Sequence, residues 1–138
     1  MIGIVIVTHE KLGEALIEAV TSIVGDKTEF VKAVTVNIKE NADNLRNKIA
    51  EGIKQVDRGK GVLIMTDMFG GTPSNLSYSF LEEGHIEVIS GVNLPVLFKA
   101  IDLREKMDLT ELSASVETFG KRSISLASGI LKGNKRDA

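Results

Sequence analysis

His9 and the run Thr66-Asp67-Met68-Phe69-Gly70-Gly71-Thr72-Pro73-Ser74-Asn75 hold the side chains best suited to chemistry in this chain. A neutral imidazole attacks a phosphoryl group well when one ring nitrogen is bare and faces the donor. A carboxylate that accepts from the other ring N–H fixes the tautomer and the ring orientation. Asp67 can do this for His9, and its charge would stabilise the positive ring formed as an N–P bond is made. The product carries a charge of roughly −1.5 to −2 and needs donors around it. Thr72 reads as a helix cap and Pro73 as the first helical position. Unpaired N–H groups and the positive end of a helix dipole would then sit beside Asp67. The dipole alone supplies only ~0.3–1 kcal/mol at an exposed site, so direct hydrogen bonds must do more. Gly70 and Gly71 permit close approach of the backbone, while Thr72 and Thr66 offer hydroxyls. The expected catalytic pair is therefore His9 and Asp67, and the expected phosphate-binding residues are Thr72, Gly70, Gly71 and Thr66. No cofactor and no metal are expected.

Each of these residues has an ordinary structural reading as well. A histidine at a strand end is commonly a turn residue, an aspartate there a turn or cap residue, and Gly-Gly a tight loop. Their convergence on one edge of a sheet favours the chemical reading. Phe69 reads as a packing residue, although an exposed aromatic in that loop would suit docking of a protein. His85, just after Gly84, reads as a surface residue at the opposite edge.

The positioning elements follow from the hydrophobic pattern. Ile2 to Val7 is an apolar run suited to a central parallel strand, ending in Thr8-His9-Glu10. Leu12, Ala15, Leu16, Ala19, Val20 and Ile23 form a helical stripe. Val31 to Val36 reads as the second strand, with Val34 and Val36 on one side. Asn41 can cap a second helix bearing Leu45, Ile49, Ile53 and Val56. Val62 to Met65 is the third strand, and Pro73 to about Glu83 the third helix. Ile86 to Ile89 is the fourth strand. Asn93-Leu94-Pro95 starts a fourth helix, and Asp108 caps a fifth that ends at Gly120. The alternating Ser123-Ile124-Ser125-Leu126-Ala127-Ser128 suggests an edge strand with one wet face. Repeated βα units imply an α/β fold, a mainly parallel sheet with helices on both faces. If the second and third strands flank the first, His9 and Asp67 meet at the switch point, where ligands of such sheets bind.

Composition narrows the function classes. At 138 residues the chain is read as one domain over 1–131 with a polar tail over 132–138. It contains no cysteine, which removes disulfides and thiolate chemistry. A net charge of −2 gives no footprint for nucleic acid. The first apolar run is shorter than the ~7–15 residues of a signal core, and no run approaches the ~18 of a membrane span. A cytoplasmic protein is the expectation.

At its two motifs the chain resembles the EIIA domain of the mannose family of the bacterial phosphoenolpyruvate-dependent sugar phosphotransferase system (PTS). The resemblance covers nearly the whole length, and Ser90-Gly91-Val92-Asn93-Leu94-Pro95 is similar as well. It implies that the phosphocarrier HPr donates a phosphoryl group to Nε2 of His9. The group would pass to a histidine of an EIIB protein and then to an incoming sugar at a membrane permease, so membrane association is indirect. Asp67 takes the place of the family's orienting aspartate, and Thr72 that of its phosphate-contacting hydroxyl. The implied fold is a three-layer sandwich with strand order 2-1-3-4. A C-terminal antiparallel strand, matched by the alternating 123–128 segment, is exchanged within a homodimer. Little chain follows that strand, so an EIIB acceptor on a separate chain is expected.

Other readings were weighed on the same residues. A stand-alone regulatory module could keep this site to signal PTS phosphorylation state. Related phosphocarriers of dihydroxyacetone kinases generally lack the Phe-Gly-Gly-Thr-Pro-Ser-Asn run. A receiver phosphorylated on Asp67 needs an acidic pair after the first strand and a lysine after the last parallel one. Thr8-His9-Glu10 offers one acid, and Gly91-Val92-Asn93 no lysine. Neither Gly-x-Gly-x-x-Gly nor a Walker A sequence is present.

Overall fold

The computed structural model describes residues 1–133. The elements run β1 (Gly3–His9), α1 (Leu12–Val24), β2 (Val31–Val36), α2 (Ala42–Val56), β3 (Val62–Thr66), α3 (Thr72–Tyr78), β4 (Ile86–Ser90), α4 (Leu94–Leu103), α5 (Leu109–Arg122) and α6 (Ala127–Leu131). Four strands pair in the order β2-β1-β3-β4, all parallel. This is the expected α/β sheet and strand order.

Strand alternation sorts the core into two layers. Ile4 and Ile6 of β1 join Leu63 and Met65 of β3 against α4 and α5, with Val20 of α1. Val5 and Val7 face the other way with Val34, Val36, Val62 and Ile64, against Leu45, Ile49 and Ile53 of α2 and Leu76 of α3. Side chains two apart share a face, so His9 falls on the α2 and α3 side. Thr8 falls on the α1 side, where its Oγ1 accepts from the N–H of Gly13 at 2.8 Å and fixes the start of α1.

The caps read at Asn41 and Asp108 are made, and Asn93, read as the start of a helix, is a cap as well. Asn41, Asn93 and Asp108 each accept from the backbone N–H three residues on, at 2.8, 2.9 and 2.8 Å. A clamp with no sequence signal lies at the far edge of the sheet. Arg104 is buried, and its guanidinium donates to the carbonyls of Lys27 at 2.8 Å and Glu29 at 2.6 Å. Desolvation lowers its pKa, an effect opposed by Glu105 and Glu29.

Several elements depart from the sequence reading. The inner face of α1 is Gly13, Leu16, Ile17, Val20 and Val24, leaving Leu12 and Ile23 exposed. That helix is apolar on more than one side, so periodicity alone did not select the buried side. Helix α3 stops at Tyr78 and is followed by turns. Its hydroxyls bond locally, Ser77 to the carbonyl of Pro73 and Ser79 to that of Leu76, which competes with continued helix. Gly120 lies inside α5 rather than at its end, where a Cβ would come within 3.0 Å of Val96 Cγ2. It is the close-packing point of α5 on α4.

The expected antiparallel strand over 123–128 is absent from this single chain. Residues 123–126 pair with no strand, and Ala127–Leu131 forms α6. Ile124 lines a groove beside the open edge of β4, but the segment makes no ladder with that edge in the single chain. Ile124, Leu126 and Leu131 are left 88%, 77% and 86% exposed. Of the tail over 132–138, residues 134–138 lie outside the described residues.

The layered core makes a quantitative expectation. Ile64, fully buried in a central strand, should cost about 2–5 kcal/mol when replaced by alanine. Asn93→Ala should cost about 1 kcal/mol through loss of its cap. Urea unfolding followed by circular dichroism measures both, and equal losses would contradict the assignment of Ile64 to the core and Asn93 to a cap.

Candidate active site

The parallel register of β1 and β3 builds the site. Val7 pairs with Thr66, so His9, two residues past Val7, and Asp67, the residue after Thr66, emerge together at the carboxyl edge. Oδ2 of Asp67 accepts twice from His9, from the backbone N–H at 2.9 Å and from ring Nδ1 at 2.8 Å. Oδ1 accepts from the N–H of Met68 at 3.0 Å. An ionised carboxylate can only accept, so Nδ1 carries the proton and Nε2 is the bare nitrogen of the neutral ring. The His9 side chain is 38% exposed and that of Asp67 10%.

Burial by itself would raise the Asp67 pKa. The His9 backbone N–H, the His9 ring bond, the charge of that ring and the Met68 N–H together outweigh burial, and the carboxyl lies below its ordinary value. Asp67 is therefore a carboxylate near neutral pH.

The glycine pair closes the site from below. Gly70 has φ +85°, a conformation that suits glycine, and it turns the loop toward α3. Gly71, rather than Thr72, occupies the N-cap position, with φ −84° and ψ 170°. Thr72 and Pro73 are the first two helical residues, so the start of α3 is one residue earlier than the sequence suggested. The first N–H groups of a helix have no partner within it, and Pro73 has none to offer. Thr72 and Ser74 contribute those of the first turn. Thr72 is exposed.

Thr66 is placed differently from the other five expected site residues. It is fully buried, and its hydroxyl donates to Ser90 Oγ at 2.9 Å across the β3–β4 pairing. Tyr78 Oη lies 3.4 Å from the same Ser90 oxygen. The Thr66 hydroxyl thus ties the end of β3 to β4 instead of facing the imidazole. Phe69 is 79% exposed and Met68 56%, so Phe69 does not pack into the core as expected. Its ring stands 6.3 Å from that of Tyr78. The loop must turn at Gly70 immediately afterwards, which holds the Phe69 side chain at the rim. His85 lies at the opposite edge, as expected, with Nε2 2.9 Å from Asp57 Oδ2. Among the described residues no cluster of three or more His, Cys, Asp or Glu side chains could hold a metal ion.

Fold and site together define a class: a parallel α/β domain whose first strand ends in a histidine oriented by an aspartate after the third. The chain belongs to the mannose-type EIIA family of the sugar phosphotransferase system, its residues 3–117 matching the family model described as PTS system fructose IIA component. It is a phosphotransferase component of that system. The fructose-specific EIIA component of Bacillus subtilis (strain 168) is 31% identical over 129 residues, spanning 93% of this chain and 88% of that protein. The mannose-specific EIIAB component of Escherichia coli (strain K12) is 35% identical over 105 residues, spanning 75% of this chain and 32% of that protein. The crystal structure of an EIIA component from Streptococcus agalactiae superposes with a TM-score of 0.83 at 26% identity, covering 93% of this chain and 98% of that one. These relatives are sugar-system components and favour neither a dihydroxyacetone-kinase role nor a purely regulatory one.

The lowered Asp67 pKa sets a sign for acid sensitivity. A depressed carboxylate contributes stability that is fully present above its unfolded value, near 3.8, and lost as pH falls through the folded value. The stability gap between the parent chain and Asp67→Asn should therefore be widest above about pH 5 and close as pH falls below about 4. Urea titrations across that range measure it, and a gap independent of pH would contradict the pairing.

Proposed function

We propose that His9 accepts a phosphoryl group from phospho-HPr on Nε2 and passes it to a histidine of an EIIB protein, in support of sugar uptake and phosphorylation. The observation that supports this most is the 2.8 Å contact between Nδ1 and Asp67, which leaves Nε2 as the lone-pair nitrogen. In the forward step the Nε2 lone pair forms a bond to phosphorus as the N–P bond of the donor breaks. Nδ1 keeps its proton throughout. The ring becomes positive, and Asp67 offsets that charge at hydrogen-bond distance. The phosphoryl oxygens find donors in the first turn of α3, at Gly71 and Thr72, and in the Thr72 hydroxyl, with Gly70 turning the loop clear of them. The reverse sequence hands the group to EIIB. Met68 and Phe69, exposed in the loop that follows Asp67, suit contact with a protein carrier rather than with a small molecule.

The same reading includes a homodimer in the cytoplasm that exchanges its C-terminal segment, and association with the membrane only through permease subunits. Three features support the exchange. β4 has no strand on its outer side. A groove of about 500 Å³ beside it is lined by Tyr78, Ser90, Val116 and Ile124. The segment that begins at residue 123 leaves its apolar side chains in solvent.

Incubation with enzyme I, HPr and phosphoenolpyruvate should give an acid-labile, base-stable phosphate that maps to His9. His9→Gln should take up none, and Asp67→Ala should be slower by about 10²-fold. Phosphate that persists without His9 would sink the proposal. Sedimentation should show a dimer for the full chain and a monomer for a chain ended after Arg122; a dimer in both cases would remove the exchange.

A further inference from the structure

The two site glycines have different reasons to be glycine. Gly70 needs its positive φ, and a Cβ there would meet nothing within 4 Å. Gly71 is the reverse case. Its φ of −84° and ψ of 170° are ordinary extended values open to any residue. It also holds the N-cap of α3, where serine, asparagine or aspartate would stabilise the helix better than glycine and alanine worse. Neither the backbone nor the cap therefore accounts for a glycine at this position.

The neighbour of its missing Cβ does. An added Cβ would lie 3.0 Å from Cε1 of His9 and 3.6 Å from Nε2, with Met68 Cγ at 3.5 Å. A contact of 3.0 Å forces the ring to give way by a few tenths of an ångström. The ring is tethered on its other side, because Nδ1 bonds Asp67 at 2.8 Å while the backbone N–H of His9 holds the same oxygen. A ring pushed off Gly71 must swing toward solvent and stretch the bond from Nδ1.

We infer that Gly71 is a positioning residue, the floor on which the His9 imidazole lies, and that any Cβ there displaces the ring from Asp67. The inference rests on His9 being the phosphoryl acceptor. Gly71 acts through His9, by keeping Nδ1 on Asp67 and the face of Nε2 clear for the incoming phosphorus.

Gly71→Ser and Gly71→Ala separate this from a capping role, since both add a Cβ but only serine improves the cap. Three measurements are made on the full chain. The first is the ring ¹⁵N signature of His9 by NMR, which reports its tautomer. The second is the rate of phosphoryl uptake from phospho-HPr, and the third is the thermal midpoint. The expected result is that both variants lose the single Nδ1–H signature and slow uptake by about tenfold, the scale expected when a reacting group is shifted by a fraction of an ångström. Gly71→Ser should melt no lower than the parent chain. An unchanged signature or an unchanged rate in Gly71→Ser overturns the inference. So does damage confined to Gly71→Ala, which would make Gly71 a helix cap, or a Gly71→Ser chain that no longer folds. If the parent chain takes no phosphate on His9, the functional reading fails, and the ring signature still shows whether Gly71 seats the imidazole.

Discussion

One carboxylate oxygen organises this molecule's carboxyl edge. Oδ2 of Asp67 accepts from the His9 backbone and from its ring, so the position of the main chain and the orientation of the side chain are set by the same atom. The backbone bond continues the β1–β3 pairing one step past the last residue of β3. The ring bond turns that extension into a defined tautomer. Either bond alone would leave a degree of freedom, a ring free to flip or a strand end free to fray. Together they give the imidazole's bare nitrogen a fixed address.

This arrangement is inherited from the sheet rather than added to it. Parallel pairing brings the carboxyl ends of β1 and β3 side by side, and the strand period of two decides which face His9 takes. His9 shares its face with Val5 and Val7, toward α2 and α3. A slip of one residue in β1 would move it to the α1 face and place Thr8 beside Asp67. Ile4 to Val7 are fully buried on both faces, and such a slip would put isoleucines where valines pack and the reverse, which a close-packed core resists. The hydrophobic core thus protects the chemistry through register.

What was legible in the sequence was local. Strand Val31–Val36, the caps at Asn41 and Asp108 and the helix start at Asn93 depend on residues within a few positions of one another, and all appear as read. The meeting of His9 with Asp67 was legible because βα repeats leave few topologies. Many of the misreadings involve a distant neighbour. Which side of α1 is inside depends on what α4 presents to it. Gly120 looks like a helix end until Val96 is seen against it. Thr66 looks available until Ser90, 24 residues later, takes its hydroxyl. The segment after α5 carries a strand's alternation and pairs with no strand within the single chain. The role of Phe69 turned on whether its loop tip faced the core, and the turn forced at Gly70 faces it outward.

The exposure of the site has a chemical consequence on the proposed reading. A phosphohistidine open to water is also open to hydrolysis, and His9 is too exposed to exclude water by itself. Water exclusion in a transfer reaction has to come from whatever closes over the reacting atoms. Met68 and Phe69 expose their apolar side chains in the loop that follows Asp67, where a docked carrier would bury them. The rigid half of the active site is then the His9–Asp67 pair with Gly71 beneath it, fixed by the sheet. The water-tight half exists only while the partner is bound. That division lets one histidine meet two different proteins in turn, since nothing but the ring, its carboxylate and its floor has to be identical in both encounters.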